Sequence, residues 1–103
     1  MRWSVAKETD EIKEWRKKID EIDIQLVRLL NERARCAEKI GSIKMKLGAE
    51  VYSPEREKQV MDNVTRHNQG PLSNAALCRL FERIVDESRI LERSLGEKTE
   101  RNK

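Results

Sequence analysis

Arg33 and Lys44 are the residues of this 103-residue chain whose placement first asks for a chemical explanation. Reading heptads from Ile19, the seam positions are Ile19, Ile22, Leu26, Leu29, Arg33, Cys36, Ile40, Ile43 and Leu47. An arginine thus takes a place that helix packing reserves for a hydrophobe. Lys44 comes eleven residues later, which on a helix is a rotation of only ~20° and a rise of ~16 Å. Two cations therefore line one face and can grip a small anion lying between them. A buried charge is costly without a counter-charge. Arg33 finds one either in such a ligand or in a glutamate on a facing helix, with Lys44 then snorkelling to water; the pattern leaves both open.

The last third of the chain carries a matching anomaly. Its seam reads Leu77, Phe81, Ile84, Ser88, Leu91 and Leu95, so Ser88 interrupts an apolar run. Glu92 lies one turn beyond Ser88, on nearly the same face. A lone serine in a helix core is ordinarily satisfied by its own backbone carbonyl. Polar groups in two seams, however, suggest a polar cavity inside a helical bundle. Arg16 sets a geometric condition: it stands 17 residues before Arg33, or ~25 Å along a helix. The two cannot share one small ligand within a subunit, and alone Arg16 reads as a solvated arginine. In an antiparallel dimer of long helices it reaches the partner's cavity.

The elements that must position these residues are helices. Charged residues make up 40% of the chain, against four glycines and two prolines, a composition that favours long helices over turns. Apolar residues recur at three- and four-residue steps from Ile12 to Leu47. Thr9 or Asp10 caps this first helix and Gly48 stops it. Gly41 falls inside it and reads as a close-packing point, at a cost of about 1 kcal/mol against alanine. Pro54, with Ser53 as N-cap, opens a second helix running to about Asn68. After the Gly70-Pro71 break, Ser73 or Asn74 caps a third, which Gly96 is expected to end. The expectation is one all-α domain over residues 1–103, with 1–9 an N-terminal extension and 96–103 a flexible tail. A first helix of about 38 residues spans roughly 57 Å, whereas a compact domain of this size has a radius of gyration of about 13 Å. Such a helix must bury its stripe against another chain, and a homodimer sharing two long helices is the simplest solution.

Other classes fit poorly. A net charge of +3 from interleaved charges offers no basic arm or stripe for nucleic acid. No apolar run is long enough for a membrane span and none resembles a signal peptide. Cys36 and Cys78, both in helical patterns, read as core thiols in a reducing cytosol, with too few ligands nearby for a metal. His67 at a helix end reads as structural, and Trp3 and Trp15 as packing anchors.

Set in order, the segments resemble the all-helical chorismate mutases. Those that carry the resemblance are Trp15-Arg16-Lys17-Lys18-Ile19-Asp20-Glu21-Ile22-Asp23, Leu29-Leu30-Asn31-Glu32-Arg33-Ala34-Arg35, Ile40-Gly41-Ser42-Ile43-Lys44, Val51-Tyr52-Ser53-Pro54-Glu55-Arg56-Glu57 and Phe81-Glu82-Arg83-Ile84-Val85-Asp86-Glu87-Ser88. The resemblance as a whole covers roughly residues 12–95. The ordered set is specific, although no single motif is. The resemblance implies an intertwined homodimer of three-helix subunits that converts chorismate to prephenate, without a cofactor, in phenylalanine and tyrosine biosynthesis in the cytoplasm. It further implies that Arg33 and Lys44 bind substrate carboxylates and that Lys44 also donates to the ether oxygen. Arg16 comes from the other subunit. Glu57 holds the ring hydroxyl, Arg56 joins that polar cluster, and Ser88 contacts a carboxylate. Such a rearrangement needs neither nucleophile nor general base. It needs a dianion held in a reactive conformer and donors aimed at the growing charge.

Two positions depart from the family pattern. Ser53 stands where an aspartate is common, and its backbone N–H still serves. Glu92 stands where many members carry glutamine. It joins Lys44 and Arg33 as a catalytic candidate, but a carboxyl donates a hydrogen bond only when protonated. The nearest rivals on the same fold are an isochorismate pyruvate-lyase and a mutase acting on 4-amino-4-deoxychorismate, with Glu57 and Ile40 leaning toward the chorismate mutase. A non-catalytic helical dimerisation module is the rival from another class, and it requires Arg33 and Lys44 to be satisfied by acidic partners. With no room in 103 residues for a regulatory or dehydratase domain, the expectation is a monofunctional chain. Activity is expected to favour the acidic side of neutral, and Glu92→Gln should remove that preference in a pH–rate profile. An unchanged profile would contradict the role given to Glu92.

Overall fold

The computed structural model describes the backbone of residues 9–101 and side chains as far as Leu95. Three helices make up the described chain: α1 (Asp10–Leu47), α2 (Pro54–Arg66) and α3 (Asn74–Arg101). Each boundary has a local chemical cause. The Ile12 N–H donates to Thr9 Oγ1 at 3.2 Å and caps α1. At the far end Gly48 adopts φ 67°. Its N–H reaches the Met45 carbonyl at 3.2 Å while that of Ala49 reaches Lys44 at 2.8 Å. These are the paired bonds of a Schellman ending, for which a left-handed glycine is suited. Ser53 caps α2 by accepting from the Arg56 N–H at 3.3 Å, with Pro54 in the first turn. Ser73 does the same for α3, accepting from Ala76 at 3.1 Å.

Two boundaries differ from the sequence expectation. α2 ends at Arg66 because Asn68 turns the chain: its Oδ1 accepts from the Gly70 N–H at 3.0 Å and its Nδ2 donates to the Leu72 carbonyl at 2.9 Å. An asparagine bonding the backbone two residues on competes with helix continuation. α3 does not stop at Gly96 but runs on to Arg101. An interior glycine costs only about 1 kcal/mol, and the residues after it include good helix formers and no proline.

The chain divides into two contact units within α1, between Arg33 and Ala34. In the first, every described residue from Thr9 to Glu32 is exposed. Ile19, Ile22, Leu26 and Leu29 are among them, as is Trp15, which has Lys18 over its ring at 5.4 Å. Trp3 lies outside the described residues. The second unit packs α2 and α3 with the end of α1 around Ala37, Val60 and Val85, all 8% exposed. The expectation of two core thiols fails for Cys36, which is exposed, while Cys78 is half-buried. Cys36 belongs to the seam that also leaves Ile40 and Ile43 uncovered. No described helix is long and apolar enough to cross a membrane.

Gly41 marks a close approach of α1 to α3. A Cβ built on it would lie 2.9 Å from Glu92 Cα, 3.1 Å from its Cβ and 3.2 Å from its carbonyl oxygen. Two of these atoms are backbone and cannot swing aside. Gly41→Ala should therefore cost stability despite the better helix propensity of alanine. A net loss of about 1 kcal/mol or more is expected, read as a lower urea midpoint at unchanged m-value. A higher midpoint would contradict the contact.

Candidate active site

Lys44 and Glu92 are two predicted site residues, from different helices, that the fold brings into direct contact. Lys44 lies in the last turn of α1, and its Nζ donates to the Val51 carbonyl at 2.9 Å. The same ammonium stands 3.6 Å from Glu92 Oε1. Glu92 is the buried charged residue of the described chain, at 8% exposure, and a carboxylate held there requires a nearby cation. An ammonium carries three protons. One goes to Val51, and the Glu92 contact is an ion pair beyond hydrogen-bonding distance. Lys44 is anchored and charge-compensated, yet retains donors to offer. The glycine at position 41 makes this arrangement possible, because it lets the backbone carrying Glu92 close on α1.

One turn before Glu92 on α3, Ser88 is half-buried and donates to the Ile84 carbonyl at 3.0 Å. That is the ordinary role of a helical serine. On α2, the Ser53 hydroxyl is engaged in the helix cap. Arg56 is exposed, with Nη1 3.4 Å from Gln59 Oε1. Glu57, in the first turn of α2, is half-buried and meets α3 through Arg89. Arg33 is half-buried and Arg16 exposed, both on the part of α1 that belongs to the other contact unit. His67 caps the end of α2, its Nδ1 2.7 Å from the Asn63 carbonyl, as a residue at a helix C-terminus should. Among the described residues no group of three or more His, Cys, Asp or Glu is placed to hold a metal.

Arg89 is the polar residue that sequence reasoning missed. Its Nε lies 3.2 Å from Glu57 Oε2 and its Nη2 3.3 Å from Glu57 Oε1. Nη2 also donates to Asp86 Oδ1 at 2.8 Å, and the guanidinium sits 5.0 Å from the centre of the Tyr52 ring. The Asp86 spacing was visible in the sequence as an ordinary helical pair. The meeting with Glu57, 32 residues away, was not.

A family model for chorismate mutase type II matches residues 15–93. The bifunctional chorismate mutase/prephenate dehydratase of Aquifex aeolicus is 38% identical over 90 residues, covering 84% of this chain but 25% of that protein. The chain thus spans about a quarter of the length of the bifunctional relatives it matches. The chorismate mutase of Methanocaldococcus jannaschii is 32% identical over 95 residues, covering 88% of this chain and 93% of that one. The solved chorismate mutase of Thermus thermophilus superposes with a TM-score of 0.80 at 33% identity, over 82% of this chain and 96% of that one. A match that reaches into all three helices, and takes in Lys44, Glu57, Ser88 and Glu92, makes this chain a member of the chorismate mutase type II family.

Proposed function

We propose that this chain is a chorismate mutase that rearranges chorismate to prephenate by binding and electrostatics alone. The observation that carries the reading is Lys44: an ammonium fixed on a rigid helix by Val51, balanced by buried Glu92, with donors left over. In the rearrangement the ether C–O bond breaks as a C–C bond forms, and negative charge grows on the ether oxygen. Lys44 donates to that oxygen and also meets a substrate carboxylate. Glu92 serves as the counter-charge that holds Lys44, and it adds a second donor to the oxygen only when it carries a proton. Donors already in place when the charge develops lower the barrier without reorganising. Arg33 holds a carboxylate, which keeps the dianion in its compact conformer. Ser53, Arg56 and Ser88 complete the grip on the substrate, and Glu57 accepts from the ring hydroxyl.

The active unit on this reading is a cytoplasmic homodimer in which residues 1–103 form one domain. Support comes from the exposed stripe of Ile19, Ile22, Leu26 and Leu29 on α1, too long and apolar a face for a chain that stays single. Antiparallel pairing of α1 helices delivers Arg16 to the partner's site. Neither nucleic acid nor membrane enters this function, and the ligand is a small dicarboxylate.

One observation favours the second reading, a non-catalytic dimerisation module, for there the cations should be paired with acids, as Lys44 is with Glu92. Turnover separates the two. Chorismate consumption, with prephenate identified by NMR, is compared between the wild type and Arg33→Ala. The wild type should form prephenate. Arg33→Ala, with its helicity intact, should lose about 100-fold or more in kcat/KM. An inert wild type across mildly acidic to mildly basic pH would overturn the assignment, and isochorismate would be the next substrate to try.

A further inference from the structure

Glu57 is not presented by α2 alone. Arg89 reaches from α3 and sets its guanidinium against both oxygens of the Glu57 carboxylate, at 3.2 and 3.3 Å. The two side chains are 26% and 27% exposed. Arg89 Nε is fully buried, and its contact with Glu57 is an ion contact without hydrogen-bond alignment. The buried donor is therefore held in place by what surrounds it rather than by one ideal bond. Asp86 fixes the outer edge of the guanidinium at 2.8 Å, and the Tyr52 ring lies 5.0 Å from its centre. Three segments thus converge on one side chain: the turn before α2, the first turn of α2, and α3 itself.

A solvated ion pair would have little consequence. This one is partly buried, touches both carboxylate oxygens and lies against the Tyr52 ring, so its geometry is determined on several sides. A glutamate in a first helical turn otherwise samples several rotamers. With Arg89 in place the carboxylate plane is set, and lone-pair sites beyond the one that accepts from Nη2 remain for another donor.

We propose that Arg89 is a positioning residue. It holds the Glu57 carboxylate in the orientation that accepts the ring hydroxyl of the substrate, and acts on the reaction only through Glu57. This inference rests on the mutase reading. A residue that merely staples α2 to α3 would lower stability without an effect tied to Glu57, so the two roles separate in kinetics.

The test is a double-mutant cycle of Arg89→Met and Glu57→Gln on the full chain, with kcat and KM for chorismate and far-UV circular dichroism on each variant. Arg89→Met should lower kcat/KM by about 10- to 100-fold, as expected when a positioned group loses its geometry. In the Glu57→Gln background the same change should cost less than about 3-fold more, because groups acting as a unit are not additive. Arg89→Lys, which keeps the charge but loses the fork, should recover only part of the loss. The same cycle run with Arg89→Lys gives the answer where the methionine variant does not fold. Losses that simply multiply, or an Arg89→Met enzyme as active as wild type, would overturn the positioning role and leave the mutase assignment standing. An inert wild type would overturn both.

Discussion

α1 and α3 meet at Gly41 and Glu92 so closely that a single methyl group would collide with the opposing backbone. The polar geometry of this half of the molecule depends on that approach. It carries a carboxylate into the interior, where burial demands a compensating charge. Lys44, one helical turn further along α1, supplies it. The lysine is held by the Val51 carbonyl, just past the end of α1. That carbonyl is brought there by the Schellman ending at Gly48. Two glycines in different roles, one for contact and one for a left-handed turn, thus set the geometry of one ion pair.

A polar strip so built suits a reaction that asks for no bond to the protein. Charges whose heads are held by partners on the protein have less rotamer freedom to lose than free surface side chains. Their partners are fixed before any ligand arrives: Val51 and Glu92 for Lys44, Asp86 and Tyr52 for Arg89. Preorganisation of this kind is how a site stabilises developing charge without reorganising at each turnover. The chain's internal core is thin, with no described side chain more than 98% buried. The exposed apolar face of α1 is where the missing burial would be found in an assembly.

Much of this was legible in the sequence, for identifiable reasons. Helix starts are written in local chemistry, and Thr9, Ser53 and Ser73 each cap the helix that begins beside them. Gly41 was legible as a contact because a glycine inside a helical pattern needs a reason to be there. Ser88 and Glu92 stood out because they interrupt an apolar seam. Gly96 misled because glycine both ends helices and is tolerated within them, and only the residues around it decide. Cys36 misled because its seam faces away from the chain's own core. Arg89 gave only the signal of an ordinary helical pair with Asp86: it lies beside Ser88 as one of many basic residues, and its importance comes from a contact that exists only once α2 has folded against α3. Long-range pairing of charged residues has no period to read.

In the proposed enzyme the working site is assembled from helices of two copies, cations from both converging on one dianion. The most direct test mixes two inactive variants, Arg16→Ala and Lys44→Ala, under conditions that let subunits exchange. A shared site predicts recovery, because each heterodimer regains one site with both cations intact and has one lacking both. With random exchange the mixture should reach about a quarter of wild-type activity. A mixture no more active than its components, or an Arg16→Ala protein with undiminished turnover, would contradict the account.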